Sequence, residues 1–568
     1  MTARHGVPLL VVVSLLSGYG SATAQAETDL NEARAAFERR QQAAQEATLP
    51  GEEYPSLVFS GLPEIPYPTY DNPAERGQGP FARLVIRGVT IIDGTGAPPQ
   101  GPYDLVVEGD RIAAIYSVGV QGLPGNERAR PAAGDMEIDA TGMYLTPGFV
   151  STHAHLGPFS VPNYEMSYIY KLWLAHGVTT VRIVGSLRGL RWTVSQGQRI
   201  AAGEIEGPDV QPYAMVPFRS PMSKVRTSEE ARAWVRAVME AGAVGLKLHS
   251  GPAELIEEAI KEAKAQGMQT TMHHAQIFTP QGTVLNTARW GLGSMEHFWY
   301  GLPEALFTDR HIQRYPVYHN YDDEQHRFQG AARIWAQAAP PFSDHWNAVM
   351  NELLDLDFTI SPTFAVKSAT RDVMAARRAE WHDEYTMPWQ WEFFRPSRTV
   401  HGSFWFDWTS RDEAAGQEDY RLGMLFVNEY KNRGGRVTVG EDAGYALCLY
   451  GFCYIREFEL LQEAGFSALE VIRAATLNGA ELLGLADQTG TIAVGKKADL
   501  VIVDGNPRHN LKVFYGTGAI RLNDTTGNVE RYGGVRWTIK DGIAYDAQAL
   551  LEDVRAMVRA AKKECGAQ

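Results

Sequence analysis

The stretch AVGLKLHSGPAELIEEAIKEAKAQGMQTTMHHAQ, residues 243–276, decides the fold because it joins two short apolar strands through one amphipathic helix. In the first strand Val244, Leu246 and Leu248 share one face, which suits packing against outer helices. The helix ends at Gly267 and leads directly into the second strand. Its apolar stripe consists of Leu255, Ile256, Ala259, Ile260 and Ala263. Strand–helix–strand units of this kind predict a parallel sheet.

The same alternation of strands and helices continues over residues 146–480, whose length suits a (β/α)8 TIM barrel. Residues 81–145 and 481–546 have a different texture, with alternating apolar and polar residues that break at Asp-Gly and Gly pairs. These two blocks predict a small β-sandwich assembled from N- and C-terminal segments. The predicted fold class is therefore α/β, with the chemistry at the C-terminal ends of the barrel strands.

The two ends of the chain carry further segments. Residues 1–26 predict an export signal, because Arg4 and His5 precede an apolar run that small residues follow. The run is too short to span a bilayer, so a membrane anchor is the weaker alternative. Residues 27–80 predict an extension that packs on the body or on a neighbouring subunit, and residues 547–568 predict a C-terminal helix. We therefore expect a periplasmic or secreted protein that forms a homo-oligomer.

Composition argues against a nucleic-acid-binding protein and against a disulfide scaffold. The chain has 568 residues, of which 44% are hydrophobic, and a formal net charge of -14. This length allows a large core and more than one domain. The acidic balance argues against a nucleic-acid partner. Three cysteines are too few for a disulfide scaffold, and either Cys448 and Cys453 pair, leaving Cys565 free, or all three remain thiols.

Two histidines end the predicted first barrel strand, in TPGFVSTHAHLG at residues 146–157. His153 and His155 are two residues apart, so on a strand they point to one side, together with Phe149 and Ser151. Paired imidazoles can hold a metal ion, although a His-x-His pair also occurs by chance on solvated strands. The interpretation depends on further ligands at later strand ends.

Four later strands supply such candidates. Lys247 points into the barrel, where a lysine is costly unless something neutralises or uses it; the alternative is an ordinary surface lysine. In GMQTTMHHAQ, His273 is the preferred ligand and His274 the second choice. His297 ends the next strand, and Asp442 ends the strand in GGRVTVGEDAG. Their alternatives are a core histidine and a turn aspartate.

This ordered set of His-x-His, Lys, His, His and Asp resembles the amidohydrolase superfamily of metal-dependent hydrolases. The similarity covers roughly residues 84–546, interrupted by one long insertion. The flanking motifs agree with it: IIDGTG, TPGFVSTHAHLG, SMEHFWYG, GEDAG and VIRAATLNGAELLGLADQTGTIAVGKKADLVIVD.

The resemblance implies two divalent ions, most commonly zinc. It assigns His153, His155 and Asp442 to one ion, and His273 (or His274) with His297 to the other. It also implies that Lys247, carboxylated by carbon dioxide, bridges the two ions. A hydroxide between the ions would attack the scissile carbonyl, and Asp442 would carry a proton to the leaving nitrogen. The implied catalytic residues are therefore Asp442 and Lys247.

The implied function is that of an exported binuclear amidohydrolase, which cleaves a C–N bond in a small substrate such as a dipeptide or an N-acyl amino acid. The subgroup that cleaves before proline, arginine or lysine is the most similar. Single-metal deaminases of the family typically carry a glutamate three residues past the strand-five histidine, where this chain has Gln276 or Ile277. A lactonase or phosphotriesterase would use the same centre. A secreted barrel with a structural metal or none is the non-catalytic alternative.

An aromatic-rich insertion is predicted at about residues 364–430, which overlaps the segment 299–408 that holds eight of the thirteen tryptophans. It forms either a lid around an apolar or ring-bearing substrate, or a subunit interface or structural shell. Asp322, Asp323 and Glu324 either meet a cationic group of the substrate or form a solvated acidic loop.

Overall fold

The computed structural model describes residues 77–120, 126–157, 166–186, 188–218, 223, 225–308, 313–315, 317–321, 323–398, 402 and 407–564. The predicted export signal, nearly all of the predicted N-terminal extension, Asp322 and Cys565 lie outside the described residues. The strands are β1 Gly77–Gln78, β2 Leu84–Ile91, β3 Gln100–Glu108, β4 Arg111–Ser117, β5 Met136–Asp139, β6 Tyr144–Pro147, β7 Phe149–Ala154, β8 Val178–Ile183, β9 Asp209–Met215, β10 Gly245–Leu248, β11 Gln269–His273, β12 Ser294–Glu296, β13 Thr359–Ser361, β14 Arg436–Val437, β15 Leu500–Asp504, β16 Ala519–Leu522, β17 Val529–Tyr532, β18 Gly534–Lys540 and β19 Ile543–Asp546.

The helices lie mostly between and after the strands of the central segment. They are α1 Met166–Ala175, α2 Gly189–Ala201, α3 Ser228–Glu240, α4 Ala253–Ala265, α5 Val284–Trp290, α6 Leu302–Ala305, α7 Glu324–Ile334, α8 Asp344–Asp355, α9 Phe364–Lys367, α10 Val373–Arg377, α11 His382–Tyr385, α12 Pro388–Phe393, α13 Ser410–Asn432, α14 Phe452–Ala464, α15 Ala468–Ala475, α16 Leu477–Leu482 and α17 Ala547–Glu564. No helix in the described part of the chain is both long enough and apolar enough to cross a bilayer.

Strands β7 to β14 form one eight-stranded sheet in chain order, and each pair of neighbouring strands within it is parallel. The backbone N–H of Thr152 donates to the carbonyl of Val439 (2.9 Å), and that of Asp442 donates to the carbonyl of His153 (3.1 Å). Because these bonds join the first strand to the segment after the last, the sheet curls into a TIM-barrel-like form.

The strand–helix unit at residues 243–276 folds as its pattern predicts except at Val244, which precedes β10 and is exposed rather than packed against the helices. Leu246 and Leu248 are fully buried on the helix side of the sheet, and the apolar stripe of α4 is buried against it. Lys247 is also buried, on the opposite face of β10. This unit therefore delivers a charged side chain to the barrel interior at the end of the strand.

Strands of the two terminal blocks pair in one nine-stranded sheet, while β16 and β17 form a separate two-stranded sheet. The order of the nine-stranded sheet is β1-β19-β18-β15-β6-β2-β3-β4, with β5 beside β2. Leu84, Leu105, Leu500 and Ile539 belong to a buried cluster that is separate from the main core. Strands from both ends of the chain thus share one small core, as the β-rich texture of the two blocks predicts.

Candidate metal centre

Three side chains meet where the first barrel strand lies beside the segment after the last. Nε2 of His153 and Nε2 of His155 each lie 3.2 Å from Oδ1 of Asp442. Nδ1 of His155 donates to the carbonyl of Gly185 (3.0 Å), which leaves the lone pair of its Nε2 directed at the carboxylate. Three ligand atoms therefore converge at the C-terminal ends of these strands, in the way that a divalent metal requires.

The first strand departs from the strict alternation that the sequence predicts. Phe149 packs against Phe458 and Phe514 of the outer layer rather than facing the same way as His153. Thr152 instead points inward, with its hydroxyl 2.9 Å from that of Thr438. The expectation that Phe149 and Ser151 share the face of the histidines is wrong, because the pairing of β7 with β8 shifts register between Ser151 and Ala154.

The loop that carries Asp442 is fixed on both sides. Asp442 has a positive φ of 52°, which is unusual for a non-glycine residue and common at functional sites. A side chain at Gly440 would collide with Cβ of His153, at 2.6 Å, so only glycine lets the two strands approach. The buried carboxylate of Glu441 accepts hydrogen bonds from Ser151 Oγ (2.5 Å) and Trp173 Nε1 (2.7 Å). Glu441 therefore anchors this loop beneath Asp442.

The second group of predicted ligands lies across β10, β11 and β12. The ring of His273 lies 4.6 Å from that of His297, which in turn lies 4.9 Å from the ring of His153. Nζ of Lys247 contacts Oε2 of Glu296, a fully buried carboxylate that the sequence analysis did not single out. Alternation on β12 could have revealed Glu296, because Ser294 and Glu296 share the inward face.

The chain brings the neighbours Glu296 and His297 to the same site by turning between them. His297 has a positive φ of 70°, so its ring reaches the barrel mouth while Glu296 stays deeper. Nδ1 of His297 lies 2.6 Å from Oγ1 of Thr363, another residue with positive φ. The sequence does not predict the role of Thr363 beside His297, because no local pattern marks a residue that follows a strand by two positions.

The structure separates the two candidate histidines of β11. His273 faces His297 and stacks on His249, with ring centroids 4.7 Å apart. His274 points to the helix layer, where its Nε2 lies 2.8 Å from Oγ1 of Thr287 in α5. The expectation that a shifted register could make His274 the ligand is therefore wrong, because its side chain is on the far side of the strand.

Burial sets the electrostatics of this site. It lowers the pKa of His153 to about 3 and holds the pKa values of His273 and His297 well below their usual range. Burial alone would raise the pKa of Asp442, but His153 and His155 hold it well below its usual value. The imidazoles are thus neutral and the carboxylate is ionised at neutral pH, which are the protonation states that bind metal.

Two groups of described residues have ligand atoms within 4.8 Å of one another: His153 with His155 and Asp442, and His153 with Glu296 and His297. Nδ1 of His153 and both oxygens of Glu296 are buried without a hydrogen bond that meets standard geometry. Buried donor atoms of this type, with neutral imidazoles and ionised carboxylates, fit a centre for divalent metal ions.

The tryptophans of the segment 299–408 differ in their surroundings. Trp335 and Trp346 are fully buried and lie beside Phe426, so they form part of a structural shell. Trp299 differs from them, because its ring stacks on His297 at 4.2 Å. Trp405 lies outside the described residues.

The acidic residues at the start of α7 are paired within the protein. Asp323 accepts a hydrogen bond from Arg398 (2.9 Å), and Glu324 pairs with Arg327 (2.7 Å). These contacts weaken the expectation that the two carboxylates meet a cationic substrate. Cys448 and Cys453 are buried free thiols, so the predicted disulfide between them is not formed.

Comparison with known proteins agrees with the site. The Amidohydrolase family matches residues 421–544. A 5-methylthioadenosine/S-adenosylhomocysteine deaminase from Moorella thermoacetica is 24% identical over 456 residues, which are 76% of this chain and 87% of that protein. A D-aminoacylase from Alcaligenes xylosoxydans xylosoxydans is 33% identical over 98 residues. The first three curated relatives match only locally, so the chain spans 15, 17 and 12% of their lengths.

Solved structures extend the similarity over most of the fold. A Xaa-Pro dipeptidase with methionine bound in its active site superposes with a TM-score of 0.53 at 19% sequence identity. The superposition covers 82% of this chain and all of the dipeptidase chain. At this identity the likeness speaks for the fold alone. The match to the Amidohydrolase family covers residues 421–544, and the chain as a whole has the fold of the dipeptidase.

Proposed function

We propose that the protein is a metal-dependent hydrolase that cleaves the C–N amide or peptide bond of a small substrate, such as a dipeptide or an N-acyl amino acid. The observation that carries the proposal is the convergence of His153, His155 and Asp442, in which each Nε2 lies 3.2 Å from Oδ1 of Asp442 at the barrel mouth. Bound divalent ions would polarise the scissile carbonyl and lower the pKa of a coordinated water.

Two ions, most simply zinc, form part of this proposal. His153, His155 and Asp442 would hold one ion, and His273 with His297 would hold the other. Lys247 would bridge them after carboxylation, in which Nζ forms a bond to the carbon of CO2 and loses one proton. Burial supports this step, because it lowers the pKa of Lys247 well below its usual value and so favours the uncharged amine that reacts with CO2.

Asp442 has the position and charge for proton transfer. Its carboxylate is ionised at neutral pH, as its lowered pKa requires, and it lies beside both His153 and His155. It would accept a proton from the attacking water and deliver it to the leaving nitrogen, because an amide nitrogen must be protonated before it departs. The positive φ of Asp442 and the anchor at Glu441 hold the carboxylate in this place.

A second candidate, a deaminase, is favoured by the long match to the Moorella thermoacetica deaminase. Gln276 argues against it, because an amide cannot replace the glutamate that the family's deaminases carry three residues past the strand-five histidine. Gln276 is buried, and its Oε1 lies 3.3 Å from Nε2 of His319. The inward lysine also favours the two-metal amide hydrolase.

One experiment separates these functions. Metal content of the purified protein would be measured first, followed by turnover of dipeptides, N-acyl amino acids, adenosine-type amines, lactones and aryl phosphotriesters. The proposal expects about two equivalents of a divalent metal and chelator-sensitive cleavage of the first two classes. Deaminated product without amide cleavage would assign the second candidate, and a chain that takes up no metal would exclude both.

We also propose export to the periplasm or the medium, and assembly as a homo-oligomer. Support for export comes from the apolar run and small residues within residues 1–26. Fractionation of cells and determination of the N-terminus of the mature protein test the first point. Light scattering of the purified protein tests the second.

A further inference from the structure

Glu296 occupies the centre of the barrel directly beneath the candidate metal centre. It is the last residue of β12 and is fully buried. Its Oε1 lies 3.4 Å from Nδ1 of His153, and its Oε2 contacts Nζ of Lys247. One carboxylate therefore faces one proposed ligand from each of the two metal sites, with a different oxygen for each.

The two ring nitrogens of His153 face opposite carboxylates. Nε2 faces Asp442 at the barrel mouth, and Nδ1 faces Glu296 below it. Histidines that bind a metal commonly donate their second N–H to a carboxylate, which fixes the tautomer and the direction of the ring. Glu296 stands in this position relative to His153.

Lys247 needs a similar support. Its Nζ ends a flexible four-carbon chain, and the oxygens of a carboxylated lysine must point toward the mouth of the barrel to reach a metal. A carboxylated lysine keeps one N–H, and Oε2 of Glu296 is placed to accept a hydrogen bond from it. Oε2 of Glu296, below Nζ, thus sets the direction in which the carboxylate group of the modified Lys247 points.

Arg182 holds Glu296 itself in place. Its Nη2 lies 3.5 Å from Oε1 of Glu296, while Nη1 donates to Ser294 Oγ (3.1 Å) and Nε donates to the carbonyl of Thr152. Arg182 is completely buried, and these hydrogen bonds tie its guanidinium to β7 and β12 at once. The carboxylate is therefore fixed from below by a charged and rigid partner.

We propose that Glu296 is a positioning residue of the metal centre, which orients His153 through Oε1 and Lys247 through Oε2. The proposal rests on the proposed function, since it assigns both side chains to metal ions. It goes beyond that function because it adds a buried carboxylate that binds no substrate and orients the metal ligands His153 and Lys247.

The test uses zinc affinity in E296Q and E296M, measured by competition with a chromophoric chelator. Methionine removes both acceptors, so both zinc equivalents should bind about 10–100-fold more weakly. Glutamine has one acceptor oxygen, and its NH2 group must face one of the two donors. E296Q keeps one of the two acceptors and should therefore weaken zinc binding less than E296M does. Unchanged affinity for both equivalents in E296M would overturn the proposal.

A matched control removes a different buried lysine–carboxylate pair. Nζ of Lys171 lies 3.0 Å from Oδ2 of Asp553, between α1 and α17 and away from the site. D553N should lower thermal stability without changing zinc affinity. If D553N and E296M weaken zinc binding equally, the effect of Glu296 is only on folding, and the proposal fails.

A second measurement needs no metal. In protein stripped of metal, the Tm values of K247M, E296M and the K247M/E296M double variant form a cycle. Each single change leaves a buried polar partner behind, so the double variant should lose clearly less than the sum of the two single losses. Additive losses would overturn the contact. If the unsubstituted protein takes up no zinc, the proposed function fails, while the cycle still reports on Glu296.

Discussion

On one side of the barrel mouth, Nε2 of His153 and Nε2 of His155 each lie 3.2 Å from Oδ1 of Asp442. Backbone hydrogen bonds tie the loop that carries Asp442 to β7. On the other side, Lys247 turns down to Glu296, and His273 faces His297. The three ligands of the first half-site are brought together by folding alone. In the proposed centre, Lys247 becomes an anionic ligand of the second half-site only after carboxylation, so the metal of that half-site should bind after this step and be lost more easily.

The substitution with the largest expected effect, D442N, disrupts the first half-site. D442N keeps the shape of the side chain but removes the anionic ligand and the proton carrier, so kcat/KM should fall by about 10⁴-fold. Steady-state kinetics on the best amide substrate would measure it. D357N is the matched control, because Asp357 also has a positive φ (49°) and is exposed, and activity should not change. Activity within tenfold of the unsubstituted enzyme in D442N would remove Asp442 from the mechanism.

The next effect breaks the second half-site. K247A removes the bridging group, so the protein should keep at most one metal equivalent and lose about 10²–10³-fold in kcat/KM. Short carboxylic acids such as acetate should restore part of the activity, because they replace the missing carboxylate. Metal content and kinetics with added acids would test this.

K171A controls for the loss of a buried lysine, since Lys171 pairs with Asp553 outside the site. It should retain both metal equivalents. Full metal content and activity in K247A would show that the two half-sites do not differ in their need for modification.

The sequence predicts the first half-site better than the second, for a physical reason. His153, His155 and Asp442 follow strands whose ends meet wherever a parallel sheet closes, so order along the chain is enough to bring them together. Glu296 acts across the barrel, on His153 of β7 and Lys247 of β10, and Thr363 acts on His297, which follows the neighbouring strand. Their partners depend on barrel closure and on the turns with positive φ at His297 and Thr363, which alternation does not report.

The same distinction holds for the fold. The strand–helix pattern predicts the parallel sheet and the helix faces, because periodicity records which side is buried. It fails at β7, where a register shift turns Phe149 outward, since a bulge leaves the local sequence pattern unchanged. On β11 it favours His273 but leaves His274 open, because one residue of register reverses the face.

A smaller effect sharpens the comparison within the second half-site. T363V replaces the hydroxyl that lies 2.6 Å from Nδ1 of His297 with a methyl group of similar size. Without this partner the ring of His297 is less firmly oriented, so affinity for the second metal equivalent should fall about 10-fold, with the first unchanged. T363S, which keeps the hydroxyl, should bind both equivalents normally. Equal loss at both equivalents would contradict the separation of the half-sites.

The smallest effect concerns the buried carboxylates that anchor the two sides. Glu441 holds the loop of Asp442, and Glu457 accepts hydrogen bonds from the backbone N–H groups of Phe364 (2.9 Å) and Ala365 (2.6 Å), next to Thr363. Burial raises the pKa of Glu441 to about 7 and that of Glu457 to about 8, from an ordinary value of 4.5. Between pH 4.5 and these values the folded protein binds more protons than the unfolded chain, so its stability falls as pH rises.

Each carboxylate contributes at most about 1.4 kcal/mol per pH unit to this slope, and a glutamine contributes none. In metal-free protein, urea unfolding at pH 5, 6, 7 and 8 should show E457Q gaining stability relative to the unsubstituted chain up to pH 8. E441Q should gain in the same way but level off near pH 7. The loss of one acceptor in each amide adds a constant offset that leaves the slope intact. Parallel curves for all three proteins would mean that Glu441 and Glu457 are already ionised in the fold above pH 5, so that burial does not raise their pKa values.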